Sequence, residues 1–303
     1  MTALESYHVL LVDGSPADAI HTANVLGQGS IGQFTISRAA TFAAAANRLR
    51  RSRYDAVLLD LTLPDRQGLE AVKAMLALAP DTPLVALGEL DHERLALEAV
   101  RHGAQDCLIK GQGDAALLRR SVRHAIERKR IEQELSQLAR FDPLTGLPNR
   151  LLFHDRLAQA VQRSDRHDHV VALIFIDLDG FKAVNDRYGH AMGDRLLVAV
   201  AGRLRRSVRR TDTVARLGGD EFTIILEDLR HADDAARVAE QALLGLRQPF
   251  EIGGVVIRLG ASLGVAITSH ATEGPDALTH RADAAMYRAK ARGGTSFQFD
   301  IAA

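Results

Sequence analysis

The sequence predicts two α/β units joined by one long helix, on three observations. Residues 7–110 alternate short apolar runs with amphipathic stretches, and residues 114–140 hold good helix formers without Gly or Pro. The remaining residues mix strand-like and helix-like segments around hairpins. The first pattern is typical of an α/β doubly wound parallel sheet, and the last of an antiparallel α+β sheet. We therefore expect domains at 1–113 and 141–303, with 114–140 as a helical linker.

Five apolar runs in the first region have the length and composition of buried strands. The predicted strands are 8–12, 56–60 and 83–87, with weaker candidates at 34–37 and 107–109. The predicted helices lie near 17–27, 42–51, 67–78 and 92–102. In a doubly wound sheet, functional residues gather at the carboxyl ends of the strands. Asp60, which ends the run 56–60, is therefore a candidate functional residue.

The helical linker carries two sets of apolar residues at spacings of three and four, with a change of phase between them. The sets are Leu118, Val122 and Ala125, then Ile131, Leu135 and Leu138. One interpretation is a helix that leaves the first domain and pairs with a partner helix as a coiled coil. The other is an amphipathic helix packed on its own domain, since helical spacing alone does not separate the two.

The second region opens with a turn-rich segment, Asp142-Pro-Leu-Thr-Gly-Leu-Pro-Asn-Arg150, and then a helix. The apolar run 170–179 follows and has the composition of a central strand. Further helices are expected near 190–209, 232–247 and 276–291, and further strands near 213–217, 222–227, 256–267 and 296–300.

Composition limits the kind of protein this chain can be. The hydrophobic content of 47% is enough for globular cores, and 38 basic residues balance 38 acidic ones. A net charge of zero gives no support for a protein that coats nucleic acid. The single cysteine, Cys107, excludes an internal disulfide and a cysteine-cluster metal site. Because no signal peptide or bilayer-spanning run is apparent, we expect a cytoplasmic protein without membrane insertion.

The run Gly218-Gly-Asp-Glu-Phe222 is the most informative short segment of the chain. It lies between two strand-like runs, which predicts a tight β-hairpin. Glycine permits positive φ angles and removes side chains that would block a ligand. Asp220 and Glu221 offer hard oxygen ligands suited to Mg²⁺. A turn that admits phosphate beside such carboxylates predicts a nucleotide site.

A second acidic pair lies at the end of the run 170–179. Asp177 and Asp179 are two residues apart, and so lie on the same face if the strand continues. Charges are rarely placed at a buried strand end without a partner or a ligand. Asp177 is therefore expected to form a metal cluster with Asp220 and Glu221. The alternative is a carboxylate set that balances the nearby Arg195 and Arg216.

These motifs resemble those of the GGDEF family, the diguanylate cyclases. The resemblance is carried by the segments 142–150, 181–194, 218–222 and 284–290. It implies a ferredoxin-like palm related to nucleotidyl cyclases, and the condensation of two GTP into cyclic di-GMP and two pyrophosphates. Because each domain would bind one GTP, it also implies a homodimer in which two domains face each other.

The resemblance also implies roles for individual residues. Two Mg²⁺ ions per GTP, with Mn²⁺ as an alternative, would be held by Asp177, the backbone of Leu178, Asp220 and Glu221. Guanine would be read by Asn185 and Asp194, whose amide and carboxylate match the edge of that base; an asparagine at a helix start is otherwise usually a cap. The substrate would further contact Phe181, Lys182, Gly218, Gly219 and Lys290. The residues expected to be catalytic are Lys182, Asp220 and Glu221.

Two more positions bear on regulation and affinity. Arg209 and Asp212 match the family's product-inhibition site, although a solvated basic face is the alternative in this arginine-rich stretch. Gly294 stands where the family usually has a phosphate-binding arginine. Arg292 would be about 200° from Lys290 around an ideal helix, and so a poor substitute unless the helix has ended.

The first region resembles the CheY-like receiver, which has a flavodoxin-like fold. Asp60 matches the phosphoacceptor, Lys110 the phosphoryl-contacting lysine, and Asp13 one residue of the acidic pocket. Three residues depart from the pattern: Gly14 for the second acid, Leu87 for Thr or Ser, and Cys107 for an aromatic ring. Mg²⁺ can keep waters in place of missing ligands, but the lost hydroxyl and ring remove the usual coupling to surface shape. Phosphorylation by a sensor histidine kinase and a receiver kept for dimerisation or docking both stay open.

The sequence thus predicts a response-regulator diguanylate cyclase with product inhibition and receiver-controlled dimerisation. Its rivals are a non-catalytic cyclic di-GMP receptor and a partner-docking scaffold. The intact pair of Asp220 and Glu221 argues against the receptor, whereas Gly294 and the altered receiver argue mildly for it.

Overall fold

The computed structural model describes residues 6–27, 33–89, 93–110, 115–167, 170–229, 231–268 and 274–300. The chain divides into two compact units, Met1–Leu135 and Ser136–Ala303. Each unit has its own five-stranded sheet. Within the described ranges, no helix is both long enough and apolar enough to cross a membrane.

The first unit is a parallel sheet with helices between its strands. Its strands are β1 (Ser6–Val12), β2 (Gln33–Ala39), β3 (Ala56–Asp60), β4 (Leu84–Gly88) and β5 (Asp106–Ile109). Its first four helices are α1 (Pro16–Gly27), α2 (Phe42–Arg51), α3 (Gly68–Leu78) and α4 (Glu93–Arg101). The strand order is β2-β1-β3-β4-β5, and every neighbouring pair is parallel. This is the flavodoxin-like doubly wound order, so the predicted fold class of this region is confirmed.

Both faces of this sheet are covered. Leu10 packs in a cluster with Met75 of α3 on one face, and Leu11 packs with Leu26 of α1 on the other. All residues of β3 and β4 are buried, which is why these strands read as continuous apolar runs. Polar side chains that serve a pocket must therefore lie at strand ends.

The long helix α5 (Ala115–Arg140) has two halves with different surroundings. Val122 and Ala125 are fully buried in the core of the first unit. The second apolar set, from Ile131 to Leu138, keeps 47% to 62% of its surface exposed. The change of phase in the sequence therefore separates a half that packs on its own domain from a half whose apolar face is exposed.

The second unit is a mixed, mainly antiparallel sheet with helices on both faces. Its strands are β6 (Val170–Asp179), β7 (Thr213–Gly218), β8 (Glu221–Leu229), β9 (Phe250–Ile252), β10 (Val255–Ile257), β11 (Gly260–Thr268) and β12 (Phe297–Phe299). Its helices are α6 (Arg150–His167), α7 (Phe181–Tyr188), α8 (His190–Arg206), α9 (Ala232–Arg247) and α10 (Pro275–Ala291). The main sheet has the order β12-β11-β6-β8-β7, and only β11 and β12 run parallel. The predicted α+β class is confirmed.

The central strand β6 serves both cores by alternation of its side chains. Ile174 and Ile176 belong to the cluster that contains Leu197 of α8. Leu173 belongs to the opposite cluster, with Phe153 of α6. Because the apolar part of β6 is enclosed on both sides, its acidic carboxyl end is the part free to meet a ligand.

The structure differs from the sequence prediction around the predicted strand 256–267, which is two strands. β10 pairs with β9 in a separate two-stranded hairpin, whereas β11 joins the main sheet. Gly253 and Gly254, with φ angles of 58° and 79°, form the turn of that hairpin. The prediction also missed α7, which Gly189, with a φ of 81°, separates from α8.

Candidate active site and receiver pocket

Two acidic side chains lie side by side at the carboxyl end of β6. Asp177 pairs across the ladder with Glu221 of β8 on one side and with Ser262 of β11 on the other. Directly opposite residues point to the same face with Cβ atoms about 5 Å apart. Asp220 occupies the turn that leads into β8. Strand register therefore brings Asp177, Glu221 and Ser262, which are far apart in the sequence, to one corner of the sheet.

The turn between β7 and β8 depends on glycine. Gly219 has a φ of 50°, in the left-handed region that side chains disfavour. An added Cβ at Gly218 or Gly219 would have no heavy atom within 4 Å. The turn is therefore open on the side where side chains would stand, as a surface that admits phosphate requires.

Arg216 of β7 holds this turn in place. Its Nε and Nη2 donate to the carbonyl oxygen of Gly219 at 3.0 and 2.8 Å. Its Nη1 donates to both carboxylate oxygens of Asp142, at 3.0 and 2.9 Å. Burial acts to raise the pKa of Asp142, but hydrogen bonds from Thr145 and Arg216 hold that pKa below its usual value. Arg216 thus joins two of the sequence motifs, the segment 142–150 and the glycine turn, through hydrogen bonds.

Lys290 of α10 reaches the same corner of the sheet. Its Nζ lies 2.7 Å from Oδ1 of Asp177, and this ion pair raises the pKa of Lys290. Burial raises the pKa of Asp177, and the nearby Asp220 acts in the same direction against the lysine. Burial also raises the pKa of Glu221. The corner therefore gathers three carboxylates, those of Asp177, Asp220 and Glu221, and Asp220 adds to the effect of burial on the pKa values of the other two.

These carboxylates suit a divalent cation. Among the described residues, no three His, Cys, Asp or Glu side chains converge as a ready-made metal cage. Asp177 is held by Lys290, and Glu221 lies 3.6 Å from Arg150. Mg²⁺ at nucleotide sites commonly takes one or two protein carboxylates and completes its shell with water and phosphate oxygens. Hard oxygen donors whose pKa values are raised by burial, and further by neighbouring carboxylates, fit such an ion.

Asp179, the second aspartate of β6, has hydrogen-bond partners that differ from those of Asp177. Its Oδ1 accepts a hydrogen bond from the Ser262 hydroxyl at 2.8 Å. Its Oδ2 accepts from the backbone N–H of Thr295 at 2.7 Å. The two aspartates that the sequence places on one face therefore have different partners.

The residues expected to read guanine lie on neighbouring helices. Asn185 is inside α7, which begins at Phe181, so the alternative of a helix cap does not apply. The Oδ1 of Asn185 fills the space above Gly193, where any Cβ would collide with it. Asp194 is the next residue of α8. Lys182, beside the buried Phe181, is exposed.

Arg209 and Asp212 lie in the connection between α8 and β7. The backbone N–H of Arg209 donates to Oδ2 of Asp212 at 2.8 Å. Burial raises the pKa of Asp212, although that hydrogen bond opposes the shift. Both residues line two cavities of about 340 and 390 Å³. Further arginines line these cavities: Arg156, Arg205, Arg206, Arg210 and Arg237. The surroundings are therefore suited to an anion.

The chain after α10 does not replace the missing arginine. The helix ends at Ala291, and the guanidinium of Arg292 donates to Oε1 of Gln298 at 2.9 Å. Gly294 has a φ of 72°, and an added Cβ would lie 2.7 Å from Oδ2 of Asp179. A side chain at position 294 would therefore disturb the structure around it.

In the first unit, Lys110 lies among three carboxylates at the carboxyl end of the sheet. Its Nζ is 2.9 Å from Asp13, 2.9 Å from Asp60 and 3.4 Å from Asp18. Burial acts to lower the pKa of Lys110, but the hydrogen bonds to Asp60 and Asp13 raise it overall. Burial raises the pKa of Asp13 in spite of the lysine. The receiver pocket thus contains its own cation.

Two of the residues that depart from the receiver pattern, Leu87 and Cys107, are at least partly buried. Leu87 is buried, and burial raises the pKa of Cys107 to about 11, which keeps it a neutral thiol. Thr62 supplies a hydroxyl that the sequence analysis missed: its Oγ1 and N donate to Oδ1 of Asp60 at 2.9 and 3.0 Å. Both oxygens of Asp60 therefore have partners.

Sequence reasoning missed several residues that contact the predicted ones, among them Asp18, Thr62, Ser262 and Thr295. It named Arg216 only as a nearby arginine that the carboxylates could balance. Arg216 stands two residues before Gly218, and its place beside a functional turn was the available signal. Asp18 follows Asp13 by five residues at the start of a helix, which no local pattern marks as a pocket residue. No sequence pattern marks Thr295, whose contact with Asp179 is formed only when the chain folds.

Comparisons with known proteins agree with both units. The protein-family model described as diguanylate cyclase, GGDEF domain, matches residues 139–296. The family model of the response regulator receiver domain matches residues 9–122. The chain is 47% identical over 186 residues to the bifunctional diguanylate cyclase/cyclic di-GMP phosphodiesterase MucR of Pseudomonas aeruginosa, which is 61% of this chain and 27% of MucR. It is 35% identical over 221 residues to the response regulator PleD of Caulobacter vibrioides, which is 70% of this chain and 48% of PleD.

Solved structures show the same relation for the second unit. The GGDEF domain of TpbB from Pseudomonas aeruginosa is 41% identical, with a TM-score of 0.51, and the match covers 53% of this chain and 94% of that domain. The chain spans less than half of the length of the curated relatives it matches. The GGDEF model, however, covers more than half of this chain. The chain therefore belongs to the GGDEF family, with a response-regulator receiver domain ahead of its GGDEF domain.

Proposed function

We propose that this chain is a diguanylate cyclase that condenses two GTP into cyclic di-GMP and two pyrophosphates. The observation that carries the proposal is the corner where Asp177 and Glu221 stand side by side, next to the open glycine turn and Lys290. Phosphoryl transfer asks a protein mainly for positioning and for stabilisation of charge. An open turn, hard oxygen ligands and a lysine at one corner supply both.

Asp177, Asp220 and Glu221, with the backbone carbonyl of Leu178, would hold Mg²⁺, two ions per GTP, with Mn²⁺ as an alternative. The metal would neutralise the leaving pyrophosphate and activate the attacking oxygen. Lys290, which now pairs with Asp177, would contact the triphosphate as a point charge.

The base would be read by Asn185 and Asp194. The carboxylate can accept from guanine N1–H and the exocyclic amine, and the amide can pair with a ring acceptor. Adenine lacks that donor edge, so ATP would leave the Asp194 carboxylate without those donors. Phe181 would support this pocket from the core, and exposed Lys182 would face the phosphates.

The reaction needs two domains that face each other. The 3′-oxygen of each GTP attacks the α-phosphorus of the other and loses its proton. The bond from that phosphorus to the β-phosphate breaks, and pyrophosphate leaves. Pairing through the exposed half of α5, from Ile131 to Leu138, would raise the effective concentration of the second half-site.

Regulation would involve two further places. Cyclic di-GMP bound at Arg209 and Asp212 would inhibit the enzyme from a distance, as a second site coupled to the first. Asp60 would accept a phosphoryl group from a sensor histidine kinase, next to Asp13 and Lys110. We place the receiver at 1–113, the helical linker at 114–140 and the cyclase domain at 141–303.

Product analysis tests the proposal directly. Purified protein is incubated with GTP and Mg²⁺, and the nucleotides are separated by chromatography. We expect cyclic di-GMP from the native chain and from Glu240→Ala, an exposed acid on α9 that serves as the matched control. Asp220→Ala should form none, and turnover at the native rate in that variant would disprove the metal assignment.

The rival function is a non-catalytic cyclic di-GMP receptor, favoured by the arginine-lined cavities at Arg209 and Asp212. Calorimetry with cyclic di-GMP separates the two functions. A receptor binds the product and forms none from GTP, whereas a cyclase does both. Arg209→Ala should abolish binding in either case, and in a cyclase it should also relieve product inhibition.

A further inference from the structure

Two aspartates of β6 tie down the end of α10. Asp177 receives Nζ of Lys290 at 2.7 Å. Asp179 receives the backbone N–H of Thr295 at 2.7 Å and its hydroxyl at 3.3 Å. The other oxygen of Asp179 is held by Ser262, which is fully buried. Asp179 is therefore fixed in orientation by the sheet, and the loop after α10 docks onto it.

This loop has an unusual backbone. Gly293, Gly294 and Thr295 have successive φ angles of 105°, 72° and 50°. A β-branched residue at positive φ is a genuine outlier, and such residues persist only where their surroundings over-determine them. The loop is thus held in a conformation that it would not adopt alone.

The contacts that hold Thr295 come from three elements of the second unit. Its backbone N–H is bound by Asp179 of β6, and its carbonyl accepts from Nη2 of Arg247 of α9 at 2.9 Å. Its hydroxyl occupies the space that a Cβ at Gly260 of β11 would fill. Because Thr295 follows Lys290 closely along the chain, the anchor at Thr295 limits where the end of α10 can lie.

Gly294 is part of the same anchor. A Cβ at this position would lie 2.7 Å from Oδ2 of Asp179, the oxygen that binds Thr295. Its φ of 72° also disfavours any side chain. A side chain at 294 therefore competes with the hydrogen bond that holds the loop.

We propose that Asp179 is a positioning residue for nucleotide binding: it anchors the loop at Thr295 and so places Lys290 at the triphosphate. Gly294 is then a requirement of this anchor and not a lost phosphate contact. The inference rests on the proposed function in taking GTP as the ligand and Lys290 as its phosphate contact.

A double-mutant cycle in nucleotide binding tests the coupling. The probe is the α,β-methylene analogue of GTP with Mg²⁺, titrated by calorimetry into the full chain. We expect Asp179→Ala and Lys290→Ala each to weaken binding about tenfold, and the double variant to bind no more weakly than Lys290→Ala alone. Independent effects that multiply to about a hundredfold would overturn the proposal.

The conservative variant separates positioning from a direct role of the charge. In Asp179→Asn, the amide oxygen can still accept from Thr295, and the amide nitrogen can donate to Ser262. Binding of the analogue should stay within about threefold of the native value. A loss as large as that of Asp179→Ala would mean that the charge itself contacts metal or nucleotide, which would overturn the proposal.

A pair of glycines provides the matched control for the loop. Gly254 has a φ of 79° and Gly294 a φ of 72°, but an added Cβ at Gly254 meets no atom within 4 Å. Gly294→Ala should weaken analogue binding, and Gly254→Ala should leave it unchanged. Gly294→Arg should also weaken binding, and tighter binding in that variant would overturn the proposal.

Cyclic di-GMP binding at Arg209 and Asp212 reports in each variant that the domain is folded. The titrations need no turnover. Failure of the native chain to form cyclic di-GMP would therefore refute the proposed function, but the double-mutant cycle in analogue binding could still be interpreted. Equal binding of the analogue by native chain, Asp179→Ala and Gly294→Ala would refute the positioning role alone.

Discussion

Each unit places a lysine against aspartates at one end of its sheet, but the two clusters differ in exposure. In the receiver, the side chains of Lys110, Asp13 and Asp60 are 15%, 0% and 3% exposed. In the GGDEF domain, the side chains of Lys290 and Asp177 are 49% and 13% exposed. The same ion-pair chemistry is therefore enclosed in one unit and open in the other.

The difference shows what each cluster is suited to do. In the receiver, one ammonium group pairs with two buried carboxylates. If Lys110 moved away, these two charges would stay buried without a partner, which is costly. In the GGDEF domain, the lysine is half exposed and the neighbouring Glu221 lies close to solvent. An open cluster can exchange its lysine for another cation at small cost, as a ligand site requires.

The largest effect is expected from Lys110→Met. The substitution leaves Asp13 and Asp60 buried without their cation, and breaking such a pair costs about 3–5 kcal/mol of unfolding free energy. Peptide-resolved hydrogen exchange in urea, followed in β3 and β4, measures this unit separately. The control is Lys129→Met, since the pair of Lys129 with the exposed Glu132 is 3.9 Å long and its loss should change stability by less than about 0.5 kcal/mol. Native stability in Lys110→Met would show that the receiver cluster is not held by its charge.

The next effect is expected from Lys290→Met, and it should appear in activity and not in stability. A half-exposed ion pair contributes at most about 1 kcal/mol to folding. Loss of a cation that stabilises charge in the transition state costs about a hundredfold in turnover of GTP. Initial rates of pyrophosphate release measure the activity.

Arg288→Met provides the control for Lys290→Met, because Arg288 lies on the same helix and pairs with Asp300 outside the corner. Its turnover should match the native rate. A large loss of stability in Lys290→Met, with turnover unchanged, would reverse the contrast between the two clusters.

A smaller effect is expected at the clamp of the glycine turn. Arg216→Lys cannot hold Asp142 and the Gly219 carbonyl together, because an ammonium lacks the fork of a guanidinium. Misplacement of the turn should lower kcat/KM by about tenfold. The control is Arg281→Lys, since Arg281 likewise binds both an aspartate and a backbone carbonyl, but at Asp300 and Ile267. Equal losses in the two variants would mean that the effect is general loosening of the domain.

The fold could be predicted from the sequence largely because its signals are local. The buried strands of the first unit read as apolar runs, and their positions agree with β1, β3 and β4 to within two residues. The hairpin of β9 and β10 was missed because two strands of three residues give no periodic pattern. The turn at Gly253 and Gly254 was its only local mark.

The candidate site could be predicted as a set of residues but not as a set of contacts. Asp177, Asp220 and Lys290 follow from motifs, and strand register then explains why Asp177 faces Glu221. The roles of Arg216 and Thr295 depend on side-chain contacts between segments far apart in sequence. The ion pair between Lys290 and Asp177 is likewise invisible to spacing.

The smallest predicted effect is a pH dependence of opposite sign in the two units. The pKa of Asp13 is raised by burial, so its contribution to stability is present at low pH and is lost as pH rises through that raised value. The pKa of Asp142 is lowered by Thr145 and Arg216 in spite of burial. Its contribution is therefore present above the ordinary aspartate pKa and is lost as pH falls through the lowered value.

Peptide-resolved urea unfolding between about pH 3 and 7 measures both contributions, about 1 kcal/mol or less each. The comparison variants are Asp13→Asn and Asp142→Asn, which should each flatten the pH profile of their own unit. Acidification should destabilise β6 peptides more in the native chain than in Asp142→Asn, whereas β3 peptides of the native chain should gain stability relative to those of Asp13→Asn. Parallel pH profiles in the two units would mean that Asp13 ionises as freely as Asp142. Burial of the receiver cluster would then have no effect of its own on how the unfolding free energy depends on pH.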